Sequence, residues 1–211
     1  ARGRRPRALD RSGVGGMGPV APAPRRSFRL AMRSPRATAA LGERLGRLLA
    51  SGDLVALVGD LGAGKTQLVR GACRGAGVPP GEVASPSFAI VQSYLGRLPV
   101  HHADLYRIAD ADELYATGFH DLLGGDGALL VEWADRVPGA LPPDRLEIHL
   151  GHDARRPGVR HLEVVGTGER GVALARALAR PRSRAASRSR STPRSRSTAR
   201  SRFGSRRPRG G

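Results

Sequence analysis

The stretch LVALVGDLGAGKTQLVRG, residues 54–71, decides the fold of this chain. Its first five residues form a continuous apolar run, which is typical of a strand covered on both faces. From Lys65 onward the pattern becomes helical. Between strand and helix lies a match to the phosphate-binding motif G-x-x-x-x-G-K-[ST], formed by Gly59, Gly64, Lys65 and Thr66. Because this motif requires a strand before it and a helix after it, the stretch predicts a P-loop.

Lys65 is the only lysine among the 211 residues, whereas arginine supplies every other basic side chain except histidine. In a P-loop, glycines let successive backbone N–H groups point at phosphate oxygens, and the helix N-terminus adds about half a positive charge. A lysine ammonium is a compact point charge that reaches between β- and γ-phosphates, while a planar guanidinium fits that space poorly. We therefore expect Lys65 to bind phosphate and arginine to be unable to replace it.

Segments with helical and strand patterns alternate around the P-loop. The expected helices cover 37–52, with Gly52 as C-cap, 65–77, 110–123, with Asp110 or Asp112 as N-cap, and 169–179. The expected strands cover 54–58, 87–94, 100–106, 128–133, 145–150 and 160–167, the second and third forming a hairpin. Strands mixed with helices around one sheet predict an α/β class: a P-loop NTPase-like, three-layer domain over residues 27–179 with a mixed central sheet.

The net charge of +18 is concentrated in the two ends of the chain. Residues 1–26 contribute +6 and residues 180–211 contribute +12, whereas residues 27–179 carry 17 basic and 17 acidic side chains. The C-terminal segment, rich in Arg and Ser, has one aromatic and no branched aliphatic residue. Because such segments bury too little apolar surface to offset the entropy of ordering, we expect both to be disordered tails.

The sequence favours a cytoplasmic location. Cys73 is the only cysteine, so no intrachain disulfide can form, which fits a reducing compartment. The N-terminal arginines precede no apolar region of a secretory signal. No run approaches the roughly 18 apolar residues of a membrane span.

Two acidic residues end apolar strands and are candidates for the metal and water chemistry of a nucleotide site. Asp104 closes PVHHAD and Glu132 closes ALLVE. Thr66 is placed to offer its hydroxyl to Mg²⁺, and the second protein ligand is usually a strand-end carboxylate. For either acid alone, a helix cap or a solvated strand end is the alternative interpretation.

Other residues carry weaker signals. For Trp133, the only tryptophan, buried packing is favoured over a nucleotide or partner contact. His101 and His102 must face opposite sides of their strand, and packing is favoured over metal binding. Arg155 and Arg156 are interpreted as part of a solvated turn rather than as phosphate ligands.

The motifs GDLGAGKT, SPSF, HHADLYRI, DELYATGFHDLL and LLVEWADR, in this order, resemble the bacterial TsaE (YjeE) family. The resemblance implies a cytoplasmic ATPase of tRNA threonylcarbamoyladenosine biosynthesis that binds ATP and Mg²⁺ and acts with the TsaB and TsaD proteins. In this family TsaD transfers the threonylcarbamoyl group to adenosine 37 of tRNAs that read codons beginning with A. Any contact of this chain with tRNA would then be indirect, or weak and through the basic tails.

The resemblance also implies roles for individual residues. Asp104 would be the essential acid and act with Lys65 in catalysis, Thr66 and Glu132 would hold Mg²⁺, and residues 85–88, SPSF, would form a loop near the γ-phosphate. The implied phosphate-binding residues are Leu61, Gly62, Ala63, Gly64, Lys65 and Thr66. Three positions depart from the usual family pattern, Gln67, Ser87 and Ala134, and no acid lies near Pro35, where some members place one beside the base.

Two other functions remain open at this stage. A P-loop kinase for a small molecule would need a lid that clamps the phosphoryl acceptor, and no arginine-rich lid segment is visible. An RNA-binding protein acting through its tails would be expected to interleave aromatic residues with the arginines, and the tails lack them.

Overall fold

The computed structural model describes residues 23–83 and 90–181. The predictions for residues 1–22, for the SPSF loop and for the tail from residue 182 lie outside the described residues. The strands are β1 (Arg25–Met32), β2 (Leu54–Val58), β3 (Val91–Tyr94), β4 (Val100–Asp104), β5 (Ala128–Glu132), β6 (Arg145–His152) and β7 (Arg160–Thr167). The α-helices are α1 (Pro35–Leu48), α2 (Lys65–Gly75), α3 (Ala111–Ala116) and α4 (Gly168–Ala179), and 3₁₀ turns cover Phe119–Leu122, Ala134–Arg136 and Pro138–Ala140.

The seven strands form one mixed sheet in the order β1-β7-β6-β2-β5-β4-β3. The four central strands, β6, β2, β5 and β4, are parallel to one another. The outer pairs, β3 with β4, β7 with β6 and β1 with β7, are antiparallel. The predicted mixed sheet and the predicted hairpin of β3 and β4 are therefore confirmed.

Side chains of the P-loop strand β2 alternate between two cores. Val55 and Leu57 face the larger core, which also contains apolar side chains of α1, α2 and α4. Leu54 and Ala56 face the smaller core, which includes Leu114 of α3 and apolar residues of the 3₁₀ turns. This alternation, with helices on both faces of the sheet, gives the predicted three layers.

The structure corrects the start of the domain. The sequence analysis predicted no strand before the first helix and assigned Arg25 and Arg26 to the N-terminal tail, but both belong to β1, which pairs with β7 over its whole length. Phe28, Leu30 and Met32 are partly buried and pack against the larger core, while the residues between them are exposed. This alternation is the strand signal that the arginines obscured.

The ends of two helices also differ from the prediction. α1 begins after Ser34, whose hydroxyl accepts a hydrogen bond from the Ala37 N–H, and ends at Leu48 because Leu49 turns to an extended conformation. Gly52, the predicted cap, instead lies in the turn before β2, with φ 82°. The predicted N-cap Asp110 is confirmed, since its carboxylate accepts from the Glu113 N–H at 2.9 Å.

Glycines let the P-loop helix α2 pack with its backbone against α1. Gly42 and Gly46 lie one turn apart on α1, and Gly71 and Gly75 lie one turn apart on α2. A Cβ atom at any of these four glycines would overlap a carbonyl oxygen of the other helix. The position of α2, and therefore of the P-loop, depends on these four residues being glycines without a Cβ atom.

Within the described ranges, no helix combines the length and the apolar character that crossing a membrane requires.

Candidate nucleotide-binding site

The predicted site residues lie at one edge of the sheet. β2, β5 and β4 are adjacent and parallel, so their carboxyl ends lie side by side. The P-loop follows β2, Glu132 ends β5 and Asp104 ends β4, and the two acids occupy paired register positions. In open α/β sheets this edge is where ligands bind.

The P-loop backbone has the conformation that its glycines permit. Gly59, with φ 146°, passes so close to β6 that a Cβ would overlap the Leu150 carbonyl oxygen. Gly64, with φ 106°, is the N-cap residue of α2 and offers no side chain to its first N–H groups. At Gly64 no side chain among the described residues caps the helix, so its first backbone N–H groups lie at a helix N-terminus, the arrangement that binds phosphate.

Lys65 is 4% exposed, and its ammonium group contacts two carbonyl oxygens and an aromatic ring among the described residues. The Nζ atom donates to the carbonyl oxygens of Gly59 at 2.5 Å and Asp60 at 3.1 Å, and lies 3.6 Å from the centre of the Trp133 ring. Burial lowers the pKa of Lys65, while the negative charges of Glu132 and Asp104 oppose that shift. A further anion beside Nζ would favour the charged ammonium.

Glu132 is 2% exposed, and both of its oxygens have partners. Oε2 accepts a hydrogen bond from the Thr66 hydroxyl at 3.0 Å, and Oε1 lies 2.9 Å from Nε2 of His102, which is fully buried. Glu132 is thus not a solvated strand end. A hydroxyl on the P-loop helix and a strand-end carboxylate in contact form an oxygen-only pair of the kind that Mg²⁺ prefers.

Asp104 is partly buried and lies beside Glu132 on the neighbouring strand. Its Oδ1 atom accepts a hydrogen bond from the Tyr106 N–H at 3.0 Å. Burial raises the pKa of Asp104, the Tyr106 hydrogen bond opposes the shift, and the charge of Glu132 adds to it. A carboxylate with a raised pKa is a better proton acceptor than an ordinary aspartate.

Trp133 directly follows Glu132 and is the only non-glycine residue with positive φ in the described ranges, at 58°. Its ring is partly buried against the smaller core, contacts the Tyr106 ring at a centroid distance of 5.0 Å and covers the Lys65 ammonium. The sequence analysis favoured packing alone for this residue. The ring therefore packs against the smaller core and also contacts the Lys65 ammonium group.

A cleft of about 280 Å³ lies on the other side of the P-loop. It is bounded by Pro35 and Thr38 of α1, by the P-loop glycines, and by the turn between β6 and β7. Thr38 is 1% exposed, and its hydroxyl has no hydrogen-bond partner among the described residues. Arg160 donates a hydrogen bond to the Gly62 carbonyl at 3.4 Å and so connects that turn to the P-loop.

Comparisons with known proteins identify the family of this chain. The family model described as "Threonylcarbamoyl adenosine biosynthesis protein TsaE" matches residues 32–160, a range that contains every predicted site residue. The chain belongs to the TsaE family. Proteins named "tRNA threonylcarbamoyladenosine biosynthesis protein TsaE" are similar to it: that of Treponema pallidum is 38% identical over 58% of this chain and 90% of its own length, and that of Bacillus subtilis is 36% identical over 70% and 90%.

A solved structure is also similar in fold. The crystal structure of Bacillus subtilis YdiB matches with a TM-score of 0.61 and 28% identity, over 73% of this chain and 95% of that one. Together with the family match, this confirms the predicted TsaE-like α/β fold.

The structure of this TsaE-family chain brings together the residues to which the sequence analysis gave roles. Lys65, Thr66, Glu132 and Asp104 share one site, and the roles assigned to them stay predictions. Leu61 is 80% exposed at the tip of the P-loop. Arg155 is exposed and Arg156 pairs with Asp153 at 2.9 Å, as expected for a solvated turn.

Three residues of the site region were not predicted to belong to it: His102, Thr38 and Arg160. His101 and His102 do face opposite sides of β4, as predicted, but His102 contacts Glu132 rather than serving only to pack. Its place two residues before Asp104, on the same face of a strand, was the available signal. For Thr38 and Arg160 the sequence carried no such signal, because tertiary structure alone places them beside the P-loop.

Proposed function

We propose that this chain binds ATP with Mg²⁺ and hydrolyses it in support of the threonylcarbamoylation of adenosine 37 in tRNAs that read codons beginning with A. The observation that carries the proposal is the hydrogen bond between Thr66, at the start of the P-loop helix, and Glu132, at the end of the adjacent strand. This contact supports the proposal because a P-loop NTPase holds its metal ion with a hydroxyl and a carboxylate of this kind.

Phosphate binding is assigned to the P-loop, residues 61–66. The backbone N–H groups at the start of α2 would donate to the β- and γ-phosphates, and the helix dipole would favour their negative charge. Lys65 would exchange its two carbonyl partners for phosphate oxygens. That exchange replaces neutral acceptors by charged ones, and charge-assisted hydrogen bonds are roughly twice as strong.

The metal site fits Mg²⁺. No group of three or more His, Cys, Asp or Glu side chains within the described ranges forms a protein-only metal site. Thr66 and Glu132 would therefore hold the ion together with the phosphates, as is usual for Mg²⁺ in nucleotide sites. The bound ion neutralises charge on the phosphate oxygens.

Asp104 would act on the attacking water. Its carboxylate lies at the same sheet edge as Glu132, and its raised pKa suits a group that orients a water molecule and accepts its proton. Lys65 would balance negative charge on the transferred phosphoryl group.

The cleft beside the P-loop is assigned to the nucleoside end of ATP. Its volume is slightly below the 300 Å³ or more of pockets for drug-sized ligands, which suits a base rather than a whole nucleotide. Pro35 and Thr38 of α1 would form one wall of that cleft.

Membership of the family supports the proposed cellular role, since the named relatives are threonylcarbamoyladenosine biosynthesis proteins. From the family resemblance we further infer that the ATPase acts in the cytoplasm with TsaB and TsaD. In this arrangement TsaD carries out the transfer and the present chain supplies ATP turnover. Contact with tRNA would be indirect, or weak and through the basic tails.

Calorimetric titration tests the nucleotide part of the proposal. The protein is titrated with ATP in the presence of Mg²⁺ and in the presence of EDTA, and Thr66→Val and Glu147→Gln are measured beside it. Glu147 is a glutamate of β6 that pairs with Arg145 and is not one of the proposed nucleotide-binding residues, and it serves as the control. We expect Mg²⁺ to strengthen ATP binding to the wild type and the control but not to Thr66→Val.

Absence of ATP binding by the wild-type protein would contradict the proposal. The role in tRNA modification is tested separately by measuring ATP turnover with and without TsaB and TsaD. Turnover that rises with a small phosphoryl acceptor, and not with these proteins, would identify a kinase instead.

A further inference from the structure

His102 is the buried histidine of β4, between Val100 and Asp104 on the strand face that points to the larger core. Its side chain is fully buried, and Nε2 lies 2.9 Å from Oε1 of Glu132 on the neighbouring strand. No function is assigned to it by the proposal above.

The two hydrogen bonds of Glu132 fix both of its oxygens. The Thr66 hydroxyl donates to Oε2 and His102 faces Oε1, so the carboxylate group is held from two sides. A carboxylate held by Thr66 alone could rotate about its terminal torsion, because such sp³–sp² torsions have broad energy wells. Mg²⁺ demands nearly ideal octahedral geometry, so the direction of that carboxylate matters for the affinity of the metal.

The environment of His102 argues against a purely packing role. Its other ring nitrogen, Nδ1, is buried and has no hydrogen-bond partner among the described residues. Leaving a buried polar atom without a partner costs about 1–3 kcal/mol, a cost that an aliphatic side chain at this position would avoid. The hydrogen bond that the ring does make goes to Glu132. Because an ionised carboxylate can only accept, Nε2 carries the proton in this pair.

We propose that His102 is a positioning residue that holds the Glu132 carboxylate in the orientation in which it binds Mg²⁺. The inference rests on the proposed function, because it assigns the metal to Thr66 and Glu132. A hydrogen bond from behind a ligating carboxylate orients the ligand without touching the metal, and loss of such a partner typically reduces metal affinity 10- to 100-fold.

Amide substitutions separate this role from packing. In His102→Gln the amide nitrogen falls near the former Nε2 and can still donate to Glu132, whereas in His102→Asn it falls near the former Nδ1 and cannot. His101→Asn is the matched control, because His101 is the preceding residue on the same strand and its ring contacts the Ser93 hydroxyl at 2.8 Å on the opposite face. ATP affinity is measured by calorimetry over a series of Mg²⁺ concentrations and in EDTA, and thermal unfolding is recorded for each variant.

For His102→Asn we expect the Mg²⁺ concentration needed for half-maximal strengthening of ATP binding to rise about 10- to 100-fold, with ATP affinity in EDTA unchanged within threefold. His102→Gln and the His101→Asn control should keep the wild-type Mg²⁺ dependence. A packing role would lower thermal stability without moving the Mg²⁺ midpoint.

Two results would overturn the inference. The first is a wild-type Mg²⁺ midpoint in His102→Asn, and the second is a Mg²⁺ midpoint that shifts as far in His102→Gln as in His102→Asn. If His102→Asn does not fold, His102→Leu takes its place, because leucine fills the buried position without a hydrogen-bond donor and should shift the Mg²⁺ midpoint in the same way. Failure of the proposed function is distinguishable, since the wild-type protein would then show no Mg²⁺-dependent ATP binding at all.

Discussion

Replacing Gly46 by alanine should destabilise the domain, although alanine is the better helix former. The added Cβ would lie 2.8 Å from both the Ala72 carbonyl carbon and the Ala76 nitrogen, and closer still to the Ala72 oxygen. These are backbone atoms of α2, which cannot rotate away as a side chain can. The helices must therefore separate locally, and α2 carries the P-loop at its N-terminus.

The magnitude follows from two opposing effects. Alanine gains about 1 kcal/mol of helix propensity over glycine. Overpacking typically costs 1–3 kcal/mol, and overlap with a backbone on three atoms places Gly46 near the upper value, about 3 kcal/mol. The net loss is then about 2 kcal/mol in the free energy of unfolding. For a domain of this size we expect Tm to fall by about 4–8 °C.

Urea and thermal unfolding of the full chain measure this loss. Gly139→Ala is the control, because no atom lies within 4 Å of a Cβ built there and Gly139 is not among the glycines with positive φ. We expect the control to change stability by less than about 0.5 kcal/mol. If Gly46→Ala were as stable as the wild type or more so, the close contact of the two backbones would not be the constraint we infer.

Three predictions concern the nucleotide site. Lys65→Arg should weaken ATP binding at least tenfold despite the preserved charge, because a guanidinium fits poorly between two carbonyl oxygens and an aromatic ring. An ATP affinity within twofold of wild type, measured by calorimetry, would contradict this prediction. Glu132→Ala should lose Mg²⁺-dependent ATP affinity, whereas Asp104→Asn should keep ATP binding and lose turnover about a hundredfold. Calorimetry and single-turnover hydrolysis measure the two effects, and the opposite pattern would reverse the two roles. Burial raises the pKa of Asp104, so the rate of hydrolysis should begin to fall on acidification at a higher pH than an aspartate with an ordinary pKa would give. This acidic decrease should be absent from the pH profile of Asp104→Asn.

The sequence predicted the parts of the site that depend on neighbouring residues in the chain. The P-loop could be recognised because its strand, glycines, lysine and helix follow one another within 54–71. Asp104 and Glu132 could be selected because each ends an apolar strand. That the two acids lie side by side could not be derived, since it requires β4 and β5 to be adjacent although residues 105–127 separate them.

Other features depend on tertiary structure more strongly. The contact of His102 with Glu132 depends on the register of two parallel strands, which a strand pattern alone does not specify. Thr38 reaches the cleft because glycines let α1 approach α2, a packing effect with no local signature. The left-handed conformation of Trp133 was unpredictable because bulky residues rarely adopt it, and the strand pattern of ALLVEW favoured extended backbone there.

The surroundings of Lys65 suggest how the proposed site would discriminate in favour of phosphate. The ammonium already has two carbonyl acceptors and an aromatic face, so a neutral ligand that merely replaced them would gain little free energy. A phosphate oxygen differs because it brings negative charge to a cation whose burial lowers its pKa. Because Glu132 and Asp104 would repel that same phosphate, we expect tight binding of ATP to require Mg²⁺ between the acids and the phosphates.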